Sequence, residues 1–158
     1  MALFTEPSPD NHFLTDHIAL LQSSYQQLTG KDWRHWGLKG PDYAKEIFNA
    51  PFLVLSHDRT ADPIFTYANL AAQELFEMNW SEFTSVSSRR SAEEPSQEER
   101  ARLLDTVTKK GFIEDYQGLR ISKTGRKFWI LDVTVWNLID SEGNYQGQAA
   151  MCRRWQYV

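Results

Sequence analysis

The chain predicts an α+β fold: a five-stranded antiparallel sheet with helices on one face, preceded by an N-terminal helix. Three observations predict it. The candidate elements run helix, short helix, two strands, short helices, a longer helix and three strands, which suits an antiparallel sheet with segregated helices. The stretch Asp62–Phe76, DPIFTYANLAAQELF, passes from strand to helix within a few residues. The strand candidate Lys127–Ile139 is apolar on both faces, so both faces of the sheet need cover.

Taken in order, residues 1–10 hold two prolines and read as a loose entry segment. Phe13, Leu14, His17, Ile18, Leu21, Tyr25 and Leu28 then recur at helical spacing, with Asn11 as N-cap and Gly30 as stop. Trp33 and Trp36 are large anchors one helical turn apart, and Gly37, Gly40 and Pro41 break the chain. Asp42–Asn49 predicts a short helix with Tyr43, Ile47 and Phe48 on its apolar side. Residues 1–30 are thus expected to be a tail and amphipathic helix, and residues 31–158 the α+β domain.

The strands Phe52–Ser56 and Ile64–Tyr67 flank a polar loop from His57 to Pro63, and Asn69 stands where an N-cap belongs. Glu77–Ser91 predicts short helical turns, with Ser81 capping one that contains Phe83. Ser96 followed by Glu99 is a capping-box pattern, so a helix is expected over Gln97–Lys110, closed by Gly111. Its apolar side is Ala101, Leu103, Leu104 and Val107. Phe112–Ser122, Lys127–Ile139 and Tyr145–Trp155 are strands joined by glycine-containing turns. Along Lys127–Ile139, Phe128, Ile130, Thr134 and Trp136 are expected to point one way, and Trp129, Leu131, Val133 and Val135 the other. The connecting helices would cover one face; the N-terminal helix, a dimer partner or both would cover the other.

Composition narrows the function. The net charge of −4 gives no reason to expect nucleic acid or membrane as partner. A single cysteine, Cys152, excludes an intrachain disulfide, and no apolar run approaches the ~20 residues that span a bilayer. No signal-peptide pattern opens the chain. A cytoplasmic protein is expected.

The strand order, with helices between the second and third strands, resembles the PAS fold. The segments PFLVLSH, DPIFTYANLAAQELFEMNW, SSRRSAE, GFIEDYQGLRISKTGRKFWI and YQGQAAM are similar to the MEKHLA domain, a PAS-related family found in bacterial stand-alone proteins and at the C-terminus of a class of plant homeodomain transcription factors. The resemblance covers roughly residues 12–155. It implies a PAS-like sheet and brings no assigned chemistry with it.

Candidate site residues follow from residue type. Phe65, Tyr67, Phe76, Trp80, Phe128 and Trp136, with Trp129, suit either a plain core or the wall of a cavity for an apolar small molecule. Asn69 is a helix cap that would also stand at the mouth of a PAS-type cavity. Arg89, beside Arg90 on a short loop, and Arg120 are candidate anion-binding groups. Asp132 is an acid in an apolar strand, either paired with Arg120 across the hairpin or held with a raised pKa as a base.

No cofactor is expected. A photoactive flavin-binding PAS domain resembles a pattern with a reactive cysteine in the helix after the first strands, whereas Cys152 falls in the last strand. A haem-binding PAS domain resembles one with a histidine on the long helix, and Gln97–Lys110 has none. The four histidines show no metal-ligand spacing. The expected function is a non-catalytic sensory, ligand-binding or protein-interaction domain. It would signal as a homodimer through Phe13, Leu14, Ile18, Leu21 and Tyr25, or through an unidentified protein partner. The alternative is a small enzyme using Asp132 in an aromatic-lined cavity.

Overall fold

The computed structural model describes residues 3–158, and the first two residues of the expected tail lie outside it. The order is α1 (Thr15–Thr29), α2 (Tyr43–Phe48), β1 (Leu53–His57), β2 (Phe65–Ala68), α3 (Leu70–Phe76), α4 (Trp80–Phe83), α5 (Glu94–Lys110), β3 (Phe112–Ile121), β4 (Lys127–Ile139), β5 (Tyr145–Cys152) and β6 (Arg154–Tyr157). The antiparallel sheet runs β2-β1-β5-β4-β3, and β6 also pairs with β4. The expected last strand therefore divides at Arg153: β5 pairs with Thr134–Ile139 of β4, and β6 with Phe128–Leu131.

The division lies opposite a bulge in β4. Tyr116 opposes Val133 while Gly118 opposes Ile130, so β4 carries one extra residue there. Asp132 takes the left-handed conformation at φ +53 that such a residue requires. An inserted residue exchanges the two faces of everything beyond it. Phe128 and Ile130 consequently share a core with Val133 and Val135, while Trp136 belongs to the other core. The strict alternation expected across Asp132 is corrected by this bulge. Asp115, at φ +59, is the matching extra residue in β3, between Ile113 and Tyr116.

The connecting helices α3 and α5, with Phe83 of α4, pack on one face against Leu53, Phe65, Phe128, Val133 and Val135. The other face carries α1, α2 and the Trp33–Trp36 turn over Val54, Tyr67, Trp136 and Leu138. There Trp33 and Trp36 stack at 5.0 Å, and Tyr25 meets Trp136 edge-on at 5.1 Å. α1 is fixed to the sheet by polar contacts as well. The Ser24 hydroxyl donates to the Ile139 carbonyl at 3.2 Å and accepts the Ile139 N–H at 2.8 Å, and Trp136 Nε1 donates to the Leu21 carbonyl at 3.1 Å.

This packing corrects the expected dimer surface. Ile18, Leu21 and Tyr25 are buried in the chain's own core, and Phe13 and Leu14 pack against the same cluster. Among the described residues, α1 packs in one cluster with β1, β2, β4 and β5 and supplies the cover that the outer sheet face needs.

Three helix starts differ from expectation. Asn11 serves a turn before α1, its Oδ1 accepting the Ser8 N–H at 2.9 Å, and His12, Phe13 and Leu14 are left-handed, so α1 opens at Thr15. Asn79, not Ser81, caps α4: its Oδ1 accepts the Glu82 N–H at 2.9 Å and Glu82 returns the bond at 3.1 Å. α5 begins at Glu94 with Pro95 in its first turn, where a missing N–H costs nothing, which leaves Ser96 inside the helix.

Candidate ligand cavity

Asn69 fixes the corner from which the cavity's roof departs. It caps α3 by accepting the Ala72 N–H at 3.2 Å, as expected, and the same Oδ1 accepts the Val54 N–H at 3.1 Å. Its Nδ2 donates to Ile47 O at 2.9 Å and Phe52 O at 2.8 Å. A fully buried side chain thus joins α2, β1 and α3, and both donors and both lone pairs of the amide are used.

Between α3, α5 and the sheet lies a cavity of about 70 Å³. A single water needs roughly 10–15 Å³ on this measure, so the space admits several waters or a small organic molecule. Its floor is Leu53, Leu55 and His57 of β1, Ala150 and Cys152 of β5, and Val133 and Val135 of β4. Phe65 and Phe76 close one end. Arg100, Leu103 and Leu104 descend from α5, and Tyr116 and Arg120 rise from β3.

The polar groups come from three elements: Arg120 and Tyr116 from β3, Arg100 from α5 and His57 from β1. Arg120, 5% exposed, donates from Nη1 to the Leu119 carbonyl at 2.8 Å and from Nη2 to the Tyr116 hydroxyl at 3.2 Å. Tyr116 donates in turn to Glu99 Oε2 at 2.9 Å. Gly118 makes this possible, because a Cβ there would stand 2.4 Å from the Tyr116 oxygen and 2.8 Å from Arg120 Nη1. Arg100 is 8% exposed, and burial, with the charge of Arg120 adding to it, pushes its pKa down to about 10.

His57 is 7% exposed. Its Nδ1 lies 2.8 Å from the Asp58 carbonyl, which assigns the proton to Nδ1 and the lone pair to Nε2 in the neutral ring. Nε2 is buried with no hydrogen-bond partner among the described residues. Gln148 lies nearby, but its Nε2 is engaged with Leu104 O, Thr108 Oγ1 and Asn137 Oδ1, each at 3.1 Å. Burial lowers the His57 pKa to about 4, so the ring is neutral near pH 7.

Of the site residues expected from sequence, the cavity holds Phe65, Phe76 and Arg120. Tyr67, Trp80 and Trp136 sit in the other core, and Phe128 is packed on Phe76 at 5.0 Å. Arg89 is exposed and pairs with Asp62 at 3.1 Å. Asp132 is corrected on both readings. Its carboxylate is exposed and pairs with Arg154, because the bulge turns it out of the sheet. The enzyme reading thereby loses its base. Among the described residues no cluster of three or more His, Cys, Asp or Glu is placed to hold a metal.

Sequence reasoning missed Arg100, His57 and Tyr116. Arg100 had a signal: it continues the Leu103, Leu104 and Val107 face at helical spacing, a position where an apolar residue belongs. His57 ends β1 and was expected in the loop that follows.

An antiparallel sheet with its connecting helices over one face and a cavity between them is a PAS-type domain. The profile of the MEKHLA domain matches residues 15–157, and the chain belongs to that family. Solved structures share the fold at low identity. The PAS domain of a protein from Colwellia psychrerythraea superposes with a TM-score of 0.62 at 13% identity, over 70% of this chain and 92% of that one. A light-oxygen-voltage domain studied with a flavin analogue gives 0.58 at 19%, over 73% and 84%. The LOV domain of the blue-light photoreceptor Aureochrome1 gives 0.56 at 20%, over 73% and 85%. No curated protein matches the sequence. No helix among the described residues is long and apolar enough to cross a membrane.

Proposed function

We propose that this chain is a non-catalytic sensory domain whose buried cavity receives a small molecule. The observation that carries this reading is the cavity itself, lined by two buried arginines and by His57, whose Nε2 is buried with no hydrogen-bond partner among the described residues. A buried polar atom without a partner is costly, and a bound molecule would supply one. Flavin-adduct chemistry is not part of the proposal. The one cysteine, Cys152, is on a strand, donates to Arg154 O at 2.9 Å, and burial pushes its thiol pKa up, opposite to what a nucleophile needs.

The test is a small-molecule screen by amide NMR. Hits should move His57, Arg100 and Gly118 and be lost in Ala150→Leu, which fills the cavity from β5. Hits that map elsewhere, and survive Ala150→Leu, contradict the reading.

Output through a second copy of the chain is retained in the proposal with a different surface. Leu119 and Trp129 are opposed in register on the sheet face that α1 leaves open, and Trp129 is 41% exposed. Sedimentation at micromolar concentration should give twice the monomer mass, and Trp129→Glu should return the monomer. A monomer in both cases refutes it.

A further inference from the structure

The lining of the cavity holds two arginines and no carboxylate. Arg100 and Arg120 both line it, and neither has a carboxylate within ion-pair distance among the described residues. Arg120 is partly satisfied by Leu119 O and the Tyr116 hydroxyl. The Arg100 guanidinium, with five N–H donors, is buried on α5 and makes no side-chain hydrogen bond among the described residues. Buried charges are ordinarily paired, because the loss of hydration is recovered only by an opposite charge with good hydrogen bonds. Glu99, the nearest acid on α5, is engaged by Tyr116 instead.

The third polar group is of opposite character. The His57 Nε2 lone pair can accept a hydrogen bond and receives none among the described residues. The remaining walls, Leu53, Phe65, Phe76 and Val133 among them, are apolar.

We propose that the ligand is a small organic carboxylate carrying a hydroxyl or N–H donor on an otherwise apolar body: the carboxylate bridges Arg100 and Arg120, and the donor meets His57. The inference rests on the cavity being a receptor site. It adds the chemical class, because guanidinium forks match carboxylate oxygens and a neutral imidazole matches an O–H or N–H. Gly118 belongs to the site, since it leaves the room in which Arg120 and Tyr116 lie over β3.

The experiment is thermal denaturation and calorimetric titration of the full chain with two matched sets: lactate, propanoate and lactamide, and mandelate, phenylacetate and mandelamide. One set spans the small end of the cavity and the other the aromatic end. In at least one set the hydroxy acid should raise Tm by several degrees, the deoxy acid by less, and the amide not at all. Arg100→Met should bind the hydroxy acid about 10- to 100-fold more weakly, the loss expected for a charged hydrogen-bonding partner. The apo Tm of Arg100→Met should be equal to or above wild type, because an unbalanced buried charge has been removed. Amides that stabilise as well as their acids overturn the carboxylate assignment while leaving the cavity a receptor. Inorganic phosphate matching the hydroxy acid overturns the apolar body. No shift by any of the six compounds overturns the proposal, and the NMR screen with neutral compounds then decides the receptor reading separately. If Arg100→Met does not fold, the comparison of acids with amides in the wild-type chain stands as the test.

Discussion

The side-chain oxygen of Asn69 accepts the backbone N–H of Val54 at 3.1 Å, and this bond ties the start of α3 to β1. With the Ala72 N–H and the carbonyls of Ile47 and Phe52, one buried amide serves four backbone groups. Asn69→Ala strands them, and at about 1–3 kcal/mol for each of the four unmet buried groups the chain should lose at least about 4 kcal/mol. Asn69→Asp keeps the cap but points a carboxylate at two carbonyls, so it should be no milder. Urea denaturation measures both; a near-neutral Asn69→Asp would reduce the residue to a helix cap.

Stability should fall as the solution is acidified from pH 7 to pH 4. Burial holds His57 and His17 at about 4, below the ordinary 6.5. Between these values the unfolded chain takes up protons that the folded chain refuses, so stability is complete above about 6.5 and is lost as pH approaches 4. For His57 the contribution is roughly 3 kcal/mol. It is smaller for the half-buried His17, whose Nε2 lies 2.9 Å from Ser56 Oγ. His57→Gln should flatten the profile. A profile unchanged by that substitution would contradict the assignment.

Gly147→Ala should destabilise the chain by roughly 2–4 kcal/mol, from strain at a backbone conformation that suits glycine and from overpacking. Gly147 has φ +135, and a Cβ there would stand 2.1 Å from the His57 carbonyl, which is backbone and has little room to move. The same change should displace His57 and shift its ring resonances. An unperturbed His57 spectrum would show that the close approach is dispensable.

Removing residues 1–30 should abolish cooperative unfolding rather than release a folded monomer. The deletion strips α1 from Trp136 and breaks both Ser24 bonds to Ile139. Near-UV circular dichroism of the truncated chain checks this; a sharp native spectrum would mean that the sheet face can stand uncovered.

Local signals carried much of this fold. Asn69 was legible as a cap because the good helix formers begin directly after it, and β4 was legible as a doubly covered strand from its apolar residues. The site was less legible because it depends on interruptions of those same patterns. Asp132 looks like an acid trapped in a core when alternation is assumed throughout, whereas the bulge puts it outside and changes the face of every residue that follows. Arg100 is hidden on an apolar helix face, since polar residues are commonly assigned to solvent. Gly118 reads as a weak point in a strand until Tyr116 and Arg120 are seen to share its space.

Native mass spectrometry of the full chain purified from its own host tests the central claim most directly. The account predicts a population heavier than the polypeptide by one small molecule, released on denaturation and lost in Ala150→Leu. A wild-type chain at the bare polypeptide mass, indistinguishable from Ala150→Leu, would contradict it.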